Sequence, residues 1–133
     1  MILLLKVDGK RPEQVRGFSK VETALRELDA SGPHSFATLT RQDGSYVQVA
    51  GGKEKCLIEK RDMPHQAHWR AYWRPVSATS DSLQVITCGA GQITARADEI
   101  FSVEDVVSIW RSFCYNKPFA SEVMWRSMSE IFR

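Results

Sequence analysis

The chain has 133 residues, 43% hydrophobic and 26% charged, a balance that belongs to ordinary globular proteins and excludes an intrinsically disordered one. One domain spanning 1–133 is expected, long enough to bury a core without disulfides or metal. The formal charge of +2 is too near balance to indicate nucleic-acid binding, and it equally disfavours a strongly acidic mimic of DNA.

The run Ile2-Leu3-Leu4-Leu5 is followed by Lys6 and Asp8. It is too short for a signal-peptide core and reads as a first strand. No stretch approaches the roughly 20 apolar residues of a membrane span, so no membrane partner is expected and the cytoplasm is the expected compartment. Ser19-Lys20-Val21-Glu22 has the form of a capping box, with Val21, Ala24, Leu25 and Leu28 on one helical face and Ser31-Gly32-Pro33 as the stop. Ser35 to Thr40 and Ser45 to Ala50 flank Gln42-Asp43-Gly44, a three-residue hairpin loop with Gly44 left-handed; that register pairs Leu39 with Val47 and Ala37 with Val49. Gly51-Gly52 is expected to break the strand before a third one from Lys55 to Lys60.

From Gln66 to Arg74 the residues alternate. Ala67, Trp69, Ala71 and Trp73 share the core side, and His68, Arg70, Tyr72 and Arg74 share the other, expected to be an exposed basic and aromatic row. Leu83 to Cys88 and Gln92 to Ala97 flank Gly89-Ala90-Gly91, a second hairpin that would place Val85 and Ala95 on one face. Ser102 then caps a helix with Asp105 at the capping-box position and Phe101 stapled onto Val106. Val106, Val107, Trp110, Phe113 and Cys114 form its buried stripe. A turn containing Pro118 leads to Val123-Met124-Trp125, read with the C-terminal helices. The expected class is α+β: an antiparallel meander of about six strands with helices packed on one face.

No catalytic motif emerges. His65-x-x-His68 is the nearest thing to a metal pair, but on a strand residues three apart point to opposite faces. Cys56, Cys88 and Cys114 are odd in number and widely spaced, which argues against a disulfide framework. A nucleophile elbow, a phosphate loop and a zinc-deaminase signature are all missing, so neither enzyme activity nor a metal or cofactor is expected. The row on the alternating strand is the best candidate surface, because cations interleaved with an aromatic bind carboxylates and phosphates.

Ser102 and Glu104 at the helix start, Phe113 near its end and Val123 with Trp125 after the turn make up a loose pattern. With the hairpin of Ser35 to Gly52 and its small-residue break, this part of the chain resembles the immunity-protein family one of bacterial polymorphic toxin systems. The resemblance implies a cytoplasmic, non-enzymatic protein, monomer or homodimer, that binds a cognate toxin domain and occludes its active site or substrate surface. It carries over no binding residue, since the matching positions are structural. Partner contacts are expected instead from Arg61, His65, His68, Arg70, Tyr72, Arg74 and Asp81, on the basic strand and the flanking loops, including Ser77 to Ser82. The rival expectation is a small-ligand-binding protein or enzyme with a pocket between sheet and helices.

Overall fold

A computed structural model describes residues 2–29, 32, 34–63, 66–74, 83–88 and 91–128. The strands are β1 (Leu3–Val7), β2 (Glu13–Val15), β3 (Phe36–Thr40), β4 (Tyr46–Gly52), β5 (Lys55–Asp62), β6 (Ala67–Trp73), β7 (Leu83–Cys88), β8 (Gly91–Arg96) and β9 (Val123–Ser127); the helices are α1 (Ser19–Arg26) and α2 (Val103–Cys114). A single 3₁₀ turn, Ala97–Glu99, follows β8. Seven strands form one antiparallel sheet in the order β2-β1-β3-β4-β5-β6-β9, and β7 and β8 form a separate two-stranded sheet. The fold is α+β and largely a meander. None of the described helices is long and apolar enough to cross a membrane.

The central hairpin has the expected register, Leu39 opposite Val47 and Ala37 opposite Val49, with Gly44 at a φ of 93°. Gly51 and Gly52 do not break the strand. They stay in β4, opposite Cys56 and Lys55, because the backbone there needs residues without a side chain: Gly51 has a φ of 101°, and a Cβ on Gly52 would lie 2.6 Å from the Leu28 carbonyl at the end of the α1 segment. The turn itself falls at Lys53, whose φ is 58°.

Helix α1 begins differently from the expectation. Phe18 occupies the N-cap with no side-chain cap, and Glu22 is drawn outward to Arg26 and to Arg111 of α2. Helix α2 begins as expected: the Ser102 hydroxyl accepts from the Asp105 N–H at 3.3 Å, and the Asp105 carboxylate accepts from the Ser102 N–H at 3.0 Å. Its buried stripe is Val106, Val107, Ile109, Trp110, Phe113 and Cys114. Both helices contribute to one core with Leu3, Leu5, Leu39, Val47, Val49, Ile58 and Ala71 on the facing side of the sheet.

Two parts of the expected topology are corrected. The segment after α2 is strand β9, which pairs with β6 in the place the meander would have given to β7. Val123 and Trp125 thereby join the helix-side core, and Met124 and Arg126 fall on the opposite face. The second hairpin pairs Cys88 with Gly91 and Val85 with Thr94, so its connection is one residue shorter than expected. A slip of one residue reverses faces: Ala95 is buried and Val85 is 51% exposed. The inner side of this hairpin, Ile86 and Ala95 with Ile93, packs with Leu57 and Ile100 as a second, smaller core on the sheet face away from the helices.

Candidate functional site

On that second face, cross-strand register aligns Gln48 of β4, Glu59 of β5, Arg70 of β6 and Arg126 of β9 in one row. Two like charges directly opposite each other, Arg70 and Arg126, destabilise a sheet unless a counter-charge intervenes. The 3₁₀ turn supplies it: Glu99 lies 3.6 Å from Arg70 Nη1 and 2.5 Å from Arg126 Nη1. Glu99 Oε1 also accepts from the Arg96 N–H at 2.8 Å, tying the turn to the end of β8.

Glu59 is the other hub. Its Oε2 receives Arg70 Nε at 2.8 Å and Nη2 at 2.7 Å. Its Oε1 receives Gln48 Nε2 at 3.0 Å and His68 Nε2 at 2.9 Å. Since a carboxylate only accepts, the imidazole Nε2 carries the hydrogen. Asp98 completes the cluster at 3.5 Å from Arg126 Nη2; both of its carboxylate oxygens are buried without a hydrogen bond from any described residue. The Arg126 guanidinium stacks 4.4 Å above the Tyr72 ring.

These contacts correct the expected exposed row. His68 is 2% exposed and the Arg70 side chain 14%, because the β7–β8 hairpin and the 3₁₀ turn fold over this face and bring acids to meet the cations. Tyr72 is half-buried, and Arg74 is exposed just beyond β6. Arg61 is half-buried, 5.9 Å from the Tyr46 ring. His65, Asp81 and the loop 77–82 lie outside the described residues.

Burial is the largest single influence on the Glu59 carboxyl and raises its pKa, but the His68 hydrogen bond and Arg70 together outweigh it and hold the pKa below the usual value. A depressed folded-state pKa contributes stability that is fully present above the unfolded value, about 4.3 for Glu, and lost as the pH falls through the folded value. Glu59→Gln is therefore expected to be less stable than the wild type near neutrality, with the gap narrowing below about pH 4. Urea unfolding at both ends of that range reads the difference, and a gap independent of pH would mean that Glu59 does not carry the charge.

Most charges of the cluster are met within it, the Asp98 oxygens excepted. Burial pushes the Cys56 thiol up to about 12, with Asp105 and Glu54 adding to the effect, and burial also raises Cys114 against the pull of Arg41. Neither is an activated nucleophile. Among the described residues no group of three His, Cys, Asp or Glu is arranged to hold a metal ion. A groove of about 310 Å³ does lie between sheet and helix, lined by Leu5, Val7, Lys10, Arg11, Lys20 and Glu27 among others. It contains none of the ionic-cluster residues, and its cations Lys10 and Lys20 pair with Glu27 and Glu13 at 3.7 Å.

The feature the sequence reading missed is the outer face of the β7–β8 hairpin. Leu83 is 70% exposed and Val85 51%, beside Arg96 and Thr94 on the neighbouring strand. The only signal was the alternation Leu83-Gln84-Val85-Ile86, in which both registers present apolar residues. No known family, curated protein or solved structure matches the chain.

Proposed function

We propose that the chain is a non-enzymatic immunity-type protein that binds a cognate bacterial toxin in the cytoplasm and blocks its active site or substrate surface. The observation that carries this reading is the exposed pair Leu83 and Val85 on a hairpin pinned from beneath. Apolar side chains held on a rigid support, with a polar border such as Thr94 and Arg96, are the arrangement of an interface anchor. The ionic cluster is the support: it fixes the 3₁₀ turn at the base of the hairpin to β5, β6 and β9.

In this reading His68 and Arg70 position the binding surface from below, and Arg61, Tyr72 and Arg74 remain contact candidates. The resemblance in the α2-to-β9 region, through Ser102, Glu104, Phe113, Val123 and Trp125, supplies the kind of partner. A small-ligand protein is the second reading, supported by the groove beneath α1; four of its lining charges are exposed and form the pairs Lys10–Glu27 and Lys20–Glu13, an arrangement that favours solvation over ligand capture.

Co-expression with any toxin domain encoded in the neighbouring reading frames tests the proposal. The wild type is expected to protect the cell, and Leu83→Asp with Val85→Asp is expected to abolish protection while leaving the fold intact, because both side chains are outside either core. Full protection by the folded double variant removes the hairpin from the interface. No protection by the wild type against any linked toxin removes the immunity reading.

A further inference from the structure

The large sheet has two edges of different character. At one, β2 is three residues long, follows Pro12 and carries the exposed Glu13, so brevity, a proline and a charge guard it against pairing. At the other, β9 has five residues, Val-Met-Trp-Arg-Ser, without proline or lysine. Its one charge, Arg126, is turned onto Glu99 and Asp98. Within these five described residues the inward-turned Arg126 is the one device that discourages strand addition.

Pairing with β6 fixes which backbone groups face outward. The Met128 N–H donates to the His68 carbonyl at 2.8 Å, and the Glu122 carbonyl accepts from the Arg74 N–H at 2.8 Å. Even-numbered residues of this segment therefore bond to β6, and the alternation of an antiparallel ladder points the N–H and C=O of Trp125 away from it. The Val123 N–H is engaged by the Ala120 carbonyl at 3.0 Å.

We propose that this edge pairs antiparallel with β9 of a second copy of the chain, about a two-fold axis at Trp125. A two-fold axis normal to the sheet keeps the helices of both copies on one side and requires the register to centre on a residue. Centred on Trp125, the two Trp125 residues exchange both backbone bonds and their side chains meet on the helix face, while Met124 lies opposite Arg126 of the second copy. Centring on Arg126 would oppose two guanidinium groups. Centring on Met124 would make the committed Val123 N–H part of both pairs flanking the axis, whereas centring on Trp125 leaves the central pair whole and calls on Val123 only in the outer pairs with Ser127. The Trp125 register is the one that keeps the central bonds intact and the two Arg126 side chains apart, and this choice of occupant stands independently of the proposed toxin binding.

Sedimentation equilibrium up to roughly 0.5 mM suits an interface this small. The average mass of the wild type is expected to rise with concentration from 15.1 kDa toward twice that value. Met124→Lys places a cation opposite Arg126 in both halves of the pair and is expected to weaken association about tenfold, whereas Met124→Glu preserves or strengthens it. Circular dichroism confirms that both variants are folded, and exchange of the Trp125 amide in the wild type is expected to slow as concentration rises. A wild type that remains monomeric throughout overturns the proposal. So do equal effects of the Lys and Glu variants, and so does association that survives Met124→Lys but is lost with Leu83→Asp.

Discussion

Arg70→Glu is expected to unfold the chain or to lower its stability by at least about 3–5 kcal/mol, the usual cost of breaking a buried ion pair by removing one partner. The side chain is 14% exposed and joins Glu59 to Glu99. Reversal would put four carboxylates together, with Arg126 and the Gln48 and His68 hydrogen bonds left to oppose them. Against a total stability of about 5–15 kcal/mol for a domain, that is a large fraction. Arg74→Glu is the internal comparison: two positions further along the same alternation, Arg74 is exposed, and its reversal is expected to stay within about 0.5 kcal/mol. Urea midpoints for the two variants separate the cases, and equal midpoints would mean that Arg70 is not held between the two acids. A loss of partner binding in Arg70→Glu would therefore report on folding, whereas the same loss in Arg74→Glu would report on the interface.

The contrast between Arg70 and Arg74 shows where sequence reading succeeds and where it stops. Alternation from Gln66 to Arg74 correctly separates two faces, since Ala71 is buried on the helix side and His68, Arg70 and Tyr72 lie opposite. Alternation cannot say what covers a face. The acids that turn this one inward come from Glu59 on the preceding strand and from Asp98 and Glu99 nearly thirty positions downstream, in a single 3₁₀ turn with no periodicity of its own. The β3–β4 hairpin was legible because Gly44 and two apolar alternations agree on one register, and the start of α2 was legible because Ser102 and Asp105 cap it locally. Strand β9 was not, because five residues after a helix and a proline turn carry too little pattern, and its pairing with β6 is settled only when β7 leaves the sheet. The β7–β8 register depended on one residue of turn length, which decided whether Val85 and Ala95 shared a face or fell on opposite ones.

Trp110→Ala is expected to cost about 3–5 kcal/mol, as truncation of a buried aromatic does, and to lower the melting temperature by roughly 10–15 °C for a chain of this size. Trp110 is fully buried, in the stripe by which α2 meets the sheet, flanked there by Val106, Val107 and Phe113. Its indole N–H has no hydrogen-bond partner among the described residues. The loss on truncation is thus one of packing and apolar burial, and no acceptor is orphaned. Trp110→Phe provides the decisive comparison: it keeps an aromatic ring in the site and removes an unsatisfied donor, whose burial carries its own cost, so its penalty should be much smaller than that of Trp110→Ala. Calorimetry of the three proteins checks the order. Equal losses for Phe and Ala would mean that the indole N–H is bonded after all, and wild-type melting in both would mean that α2 does not anchor the sheet. Since α2 lies on the face away from the β7–β8 hairpin, the folded fraction of Trp110→Ala should retain the outer face of that hairpin, and any partner binding through it should fall only in proportion to the protein that unfolds.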